Sequence, residues 1–204
     1  YPAGLPVLDG LDLVIRDAAG KEVTNRFALR TPTLTGLNAI DGTGVISPDS
    51  TRVVYVAQHP TSGAFDAWTV PIDGGTPIRL RPFVTLAGSQ VLASSNHVLI
   101  SPDSERVVFF ANFSNLAYFD LWSARVDGTG TVVRLTDTTA ATTDVVVPGF
   151  SPDSTRVLYL RYLQDYFHYE LYSVPSAGGS EMKLNGVLAA GGTVSPVYRC
   201  SPDS

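Results

Sequence analysis

The string Ser-Pro-Asp-Ser occurs four times, as Ser47-Pro48-Asp49-Ser50, Ser101-Pro102-Asp103-Ser104, Ser151-Pro152-Asp153-Ser154 and Ser201-Pro202-Asp203-Ser204, at intervals of 54, 50 and 50 residues. A fixed period of this size marks a repeat architecture, in which each unit buries its apolar face against its neighbours instead of closing a core of its own. Residues 1–204 are therefore read as one continuous region, with a partial repeat at 1–46, units at 47–100, 101–150 and 151–200, and a further one starting at 201–204.

Aligning the copies gives short runs rich in β-branched and aromatic residues, separated by Gly, Pro, Asn and Asp, which is a strand pattern. One run enters each motif, at 44–46, 96–100, 144–150 and 193–200, and a second leaves it, at 52–57, 106–111 and 156–161. A third begins at an acid, at 12–15, 66–71, 120–126 and 170–175, and a fourth follows a glycine-containing turn, at 22–29, 77–80, 132–135 and 181–184. No stretch sustains a helical period, so the chain reads as all-β.

The spacing within a unit is rigid. Asp66, Asp120 and Glu170 each lie 19 residues after the first serine of their motif, and length varies only between the fourth run and the next first run. Insertions belong in such connections. Counting 19 residues back from Asp12 places another motif before residue 1, so the array is expected either to extend beyond this chain or to join its ends in one closed ring. Closure protects sheet edges that an open arc leaves bare.

Composition removes several function classes. Hydrophobic residues make up 44% and charged residues 16%, which suits a packed protein and not a disordered one. The net charge is -5 and the only lysines are Lys21 and Lys183, so the basic stripe that a phosphate backbone requires is missing and no nucleic-acid partner is expected. No apolar run approaches the roughly 20 residues of a membrane span, and the amino terminus lacks signal-peptide features, as that of a processed protein also would. Cys200 stands where the other copies have Ile46, Ile100 and Phe150, so it reads as a packing residue.

The motif itself is a turn: proline presets φ at its second position, and the serine and aspartate side chains accept backbone N-H groups. A catalytic serine would be needed once and would require a base, yet no copy has a histidine beside it. His59, His97 and His168 fall in different repeats without metal-ligand spacing, and no cofactor or metal signature is present. The nucleophile elbow of a hydrolase, Gly-x-Ser-x-Gly, is also missing.

Ser-Pro-Asp-Ser-x-Arg-Val, followed by an acid with Leu-Tyr or Leu-Trp, then Val-Pro-x-x-Gly-Gly and Leu-Asn or Leu-Thr, resembles the TolB-like β-propeller repeat, a relative of the WD-type blade. The match is closest over residues 151–185, with Glu170-Leu171-Tyr172-Ser173-Val174-Pro175 and Gly178-Gly179, and it is similar to the long-period variant of bacterial surface and secreted proteins. The resemblance implies a β-propeller, whole or partial, of four-stranded antiparallel blades, about 3.5 to 4 of them in this chain. Some relatives carry a calcium loop between the second and third strands. The equivalent loops here, 58–63, 112–116 and 162–168, offer at most one acid, too few hard oxygens for that ion.

Recurring side chains read as packing: Trp68, Trp122 and Tyr172 at one third-run position, and Phe65, Phe119 and Tyr169 just before the acid. Arg52, Arg106 and Arg156 recur as well and are expected to pair with the acids Asp66, Asp120 and Glu170, fixing register. What does not recur is the aromatic set on the connections between second and third runs: Phe113, Leu116 and Tyr118 in one unit, Tyr162, Tyr166, Phe167 and His168 in the next. These are candidate partner-binding residues, with folding back over the sheet edges as the slightly favoured alternative. The expected function is a non-enzymatic scaffold or recognition module, periplasmic, on the cell surface or secreted, with a protein partner or self-assembly into a ring. The alternative is a lid or accessory domain of a larger extracellular hydrolase.

Overall fold

The computed structural model describes residues 40–59, 62–82, 86–92, 98–114, 116–137, 145–162, 168–189, 191–195 and 200–201. These form twelve strands in chain order: β1 Ile40–Ile46, β2 Arg52–Gln58, β3 Phe65–Pro71, β4 Ile78–Leu80, β5 Val98–Ile100, β6 Arg106–Ala111, β7 Asp120–Arg125, β8 Val133–Arg134, β9 Val145–Phe150, β10 Arg156–Tyr162, β11 Tyr169–Pro175 and β12 Met182–Lys183. The described residues are all-β, as the pattern implies. Strands expected at 12–15 and 22–29 lie outside the described residues, and Thr193, Val194, Ser195 and Cys200 of the run 193–200 carry no strand.

The strands form three four-stranded antiparallel sheets, ordered β1-β2-β3-β4, β5-β6-β7-β8 and β9-β10-β11-β12. Each sheet is a meander that starts with the strand entering a motif, so a unit counted from motif to motif takes its last strand from the following sheet. The repeated spacing fixes one register in all three: Tyr55 pairs with Trp68, Phe109 with Trp122, and Tyr159 with Tyr172.

The second strands read as unbroken apolar runs because both their faces are covered. Along β6, Val107, Phe109 and Ala111 join Val54, Val56, Ala67 and Leu80 of the first sheet in one core cluster. Val108 and Phe110 point the other way and pack with Val157, Tyr159 and Val174 of the third sheet. Period-two alternation thus feeds two seams at once, each fully buried side chain contributing about 1.5–3 kcal/mol of transfer free energy. We call these the first and second seams. Face-to-face four-stranded sheets of this kind are propeller blades, and the described residues form part of a propeller.

Candidate functional site

The first three Ser-Pro-Asp-Ser turns share one hydrogen-bond pattern. Ser47 Oγ donates to Asp49 Oδ1 at 2.6 Å and accepts the Arg52 N-H at 2.9 Å. Ser101 and Ser151 repeat this, donating at 2.5 Å to Asp103 and Asp153 and accepting from Arg106 and Arg156 at 2.8 and 3.0 Å. Each aspartate also accepts the N-H two residues on, from Thr51, Glu105 and Thr155. The hydrogen bonds from Ser47 and Ser151 hold the Asp49 and Asp153 carboxyls below the ordinary value. A serine whose proton is aimed at an ionised, saturated carboxylate closes a turn. In the fourth copy Ser201 is exposed, and Pro202 and Asp203 lie outside the described residues.

The last serine of the motif has a separate task. Ser50, Ser104 and Ser154 take left-handed φ values of 59°, 64° and 62°, a region that glycine or asparagine usually fills. That conformation carries the Ser104 hydroxyl across the first seam, where its Oγ accepts the Asp49 N-H at 2.9 Å. Ser154 Oγ accepts the Asp103 N-H at 3.1 Å across the second. Neighbouring turns are thereby joined sheet to sheet. A serine at the fourth position of every copy was the available sequence signal.

The expected pairing of recurring arginines with recurring acids is corrected by the register. Arg52 sits opposite Pro71 at the motif end of β2, whereas Asp66 sits opposite Ala57 at the far end. Five residues at about 3.3 Å each separate the two positions, too far for an ion pair. Arg52, Arg106 and Arg156 instead donate to the hydroxyls of Thr69, Ser123 and Ser173. The acids take their cations from the fourth strand or just beyond. Buried Asp66 meets Arg81 at 2.5 Å and Arg79 at 3.5 Å, buried Asp120 meets Arg134 at 2.7 Å, and Glu170 meets Lys183. Burial opposes ionisation of Glu170, but Lys183 and Tyr172 outweigh it and hold its carboxyl low.

The aromatic loop set does not form one surface. Phe113 is only 2% exposed; its ring meets Trp122 edge-on at 5.3 Å and Phe109 at 6.3 Å, so it belongs to the first seam. Leu116 is 51% exposed, and Tyr118, Tyr162 and His168 are half-buried. Tyr162 is tied to Tyr169, whose hydroxyl donates to it at 2.5 Å with the rings 4.3 Å apart. Tyr166 and Phe167 lie outside the described residues. The connection leading to β5 escaped the sequence reading although it builds the rim beside Leu116. The Arg81 guanidinium lies 4.8 Å over the Phe113 ring and also donates to Ser89, while Asn112 Oδ1 accepts the Gln90 N-H at 2.6 Å. Asn112 Nδ2 donates to the Leu116 carbonyl at 3.2 Å, so this buried side chain serves the fold.

A polar cluster also went unseen on the third sheet. Arg161 replaces the alanine that the other sheets have at Ala57 and Ala111, opposite the acid. Its guanidinium lies over Tyr172 at 4.6 Å and Tyr159 at 5.8 Å and reaches Glu181 Oε1 and Oε2 at 2.8 and 2.6 Å. Tyr159 donates to Glu181 Oε2 at 2.5 Å and stacks on Tyr172 at 5.8 Å. Burial pushes the Tyr159 hydroxyl well above its ordinary value and, with Glu170 beside it, pushes Tyr172 up to about 12. The Arg161, Tyr159 and Glu181 side chains bond one another and Tyr172 donates to Glu170, an arrangement that can lock a seam.

His59 stacks on Trp68 at 6.4 Å, and His97 lies outside the described residues. Among the described residues no group of three His, Cys, Asp or Glu side chains is placed to hold a metal ion, and no helix is long and apolar enough to cross a membrane. Cys200 is half-buried.

No known protein-family model matches the chain. No curated protein matches it either. Among solved structures it is similar to an oligogalacturonate lyase in complex with manganese, at 17% identity and a TM-score of 0.50, over 72% of this chain and 42% of that one. This likeness shows the fold alone, and the chain spans less than half the length of that enzyme. Weaker likenesses run to a protein described as a TolB from Agrobacterium tumefaciens, at 19% identity, 82% and 69% coverage and a TM-score of 0.34, and to a prolyl endopeptidase, at 16% identity, 77% and 23% coverage and a TM-score of 0.48.

Proposed function

We propose that this chain is a non-enzymatic recognition or scaffold module of a TolB-like propeller, of the long-period Ser-Pro-Asp-Ser kind, that works in the periplasm, on the cell surface or in secreted form. The observation that carries the reading is the state of the motif serines. Each is the most enzyme-like residue of its repeat, and each has its proton committed to the aspartate two residues on, which also accepts the backbone N-H two residues further along. Recognition falls to the end of the sheets where the connections vary, with Leu116 and Tyr118 at its exposed edge and a protein as partner.

The test is chemical. The purified chain is incubated with a fluorophosphonate probe and with peptide, ester and oligogalacturonate substrates, alongside Ser47→Ala, Ser101→Ala and Ser151→Ala. We expect no labelling and no turnover, while each variant loses about 1 kcal/mol of stability through its missing turn hydrogen bonds. Labelling or turnover abolished in one folded serine variant would overturn the reading in favour of catalysis.

A further inference from the structure

We propose that Tyr162 and Tyr169 form an oxidative cross-linking site, at which a peroxidase using hydrogen peroxide joins the two rings as dityrosine and staples β10 to β11. The two residues are direct cross-strand partners at the ends of these strands away from the motif. Their ring centroids are 4.3 Å apart with the planes at 40°, and the Tyr169 hydroxyl donates to the Tyr162 oxygen at 2.5 Å. Both residues are half-buried, so each keeps part of its surface in solvent, where an oxidant can reach it.

Comparison across the repeat separates this pair from ordinary packing. The same register position holds Gln58 opposite Phe65 in the first sheet, and in the second Asn112 and Phe119 stand one residue beyond the paired Ala111 and Asp120. Packing at this position therefore asks for a ring on the third strand and does not ask for a hydroxyl on either strand. Neither an amide nor a phenylalanine ring yields a phenoxyl radical. The other opposed tyrosines, Tyr159 and Tyr172, lie 5.8 Å apart by centroid, with Tyr159 fully buried and the two hydroxyls committed to Glu181 and Glu170.

The reaction balances within the pair and one oxidant. Each phenol gives up one electron and its phenolic proton, and the two radicals join through the ring carbons next to the oxygens. Each of those carbons then passes its hydrogen to the oxygen of its own ring, which restores both phenols and leaves the protein two hydrogen atoms lighter. The two electrons and two protons reduce one hydrogen peroxide to two waters. Rings already in contact make the coupling unimolecular and favour it over coupling to another molecule. With a single cysteine the chain can form no intrachain disulfide, and a carbon-carbon bond across a directly opposed pair fixes register at the strand ends instead. The inference goes beyond the recognition reading and does not rest on it.

The full chain at low concentration is treated with a haem peroxidase and hydrogen peroxide, alongside Tyr162→Phe, Tyr169→Phe, Tyr166→Phe and a synthetic peptide of residues 162–183. Trypsin releases the same peptide from the chain, between Arg161 and Lys183, for mass spectrometry. We expect it to lose two hydrogens and to stop fragmenting between residues 162 and 169, with dityrosine fluorescence in the monomer band. Coupling should run several-fold faster in the folded chain than in the free peptide, which has no stable hairpin to align the rings. It should vanish in Tyr162→Phe and Tyr169→Phe and persist in Tyr166→Phe, with circular dichroism showing that each variant keeps its strands. A folded chain that couples no faster than the free peptide, that still couples without Tyr162 or Tyr169, or that yields only cross-linked dimers would overturn the proposal. Serine labelling reads the recognition proposal separately, so failure of one leaves the other standing.

Discussion

Both seams are largely apolar, but they differ in one place: Phe113 packs there against Trp122 in the first, and Arg161 lies there over two tyrosines and reaches Glu181 in the second. In the first, Ala111 leaves room beside Trp122 and Phe113 fills it edge-on, with the Trp122 indole N-H donating to the Ala111 carbonyl at 3.0 Å. In the second, Arg161 fills the same room with its own side chain, Tyr172 stands in for the tryptophan, and Glu181 receives both Arg161 and Tyr159. One repeat therefore supports two packing chemistries behind identical backbone links, because strand register and the Ser104 and Ser154 hydroxyls hold the sheets whatever fills the gap. Ring packing draws its stability from close contact, and the pair of Arg161 and Glu181 adds a dependence on pH.

The contrast is open to direct attack. The largest effect is expected from Phe113→Ala, which empties a volume enclosed by Phe109 and Trp122 and should cost about 3–5 kcal/mol in urea unfolding. A loss below about 1 kcal/mol would show that the first seam does not rest on ring packing. Next, Gly128→Ala should cost about 2 kcal/mol, combining a left-handed backbone at φ 75° with a Cβ driven into Ile78. Gly178→Ala in the second seam carries the backbone strain alone, at φ 94° with only ordinary contact to Val133, and should cost about half as much. Equal losses would mean that the turns do not distinguish the seams.

The smallest effect should come from the ion pair. Arg161 and Glu181 are partly exposed, so a double-mutant cycle with Arg161→Ala and Glu181→Ala should give a coupling of about 1 kcal/mol, and the Arg106 and Asp120 cycle none. Burial opposes ionisation of Glu181, but hydrogen bonds from Arg161 and Tyr159 outweigh it, so its folded carboxyl titrates below the ordinary 4.5. Its contribution is complete above pH 4.5 and is lost as pH falls through that lower folded value. The urea midpoint of Glu181→Gln should accordingly fall less on acidification than that of the native chain, and parallel acid limbs would remove the second seam as the acid-sensitive one.

How much was legible follows from what repeats. Strand order and register came from the period, since β2, β6 and β10 begin at the arginine after each motif and the third strands begin within one residue of the acid. The partner of the acid was harder to see, although a cation stands 13 or 14 residues later in every copy, at Arg79, Arg134 and Lys183. The loop set was read least well. Phe113 looked like a rim residue because its neighbours Ser114, Asn115 and Leu116 are loop-like, yet the connection containing Ser89 and Gln90 folds over it and closes the core there.

By itself the sequence determined the unit: alternating apolar positions, a turn of fixed chemistry and a constant 19-residue span leave a four-stranded meander as the way to bury these strands. Only the tertiary structure decided what each unit meets. A side chain at one repeat position can face a ring, an arginine or water, and which it faces depends on the neighbouring sheet and not on its own strand. Hence Ala57, Ala111 and Arg161 hold one place in the pattern and enter different chemistry, and Leu80, Leu135 and Leu184 are one residue of the repeat with two buried and the third 44% exposed.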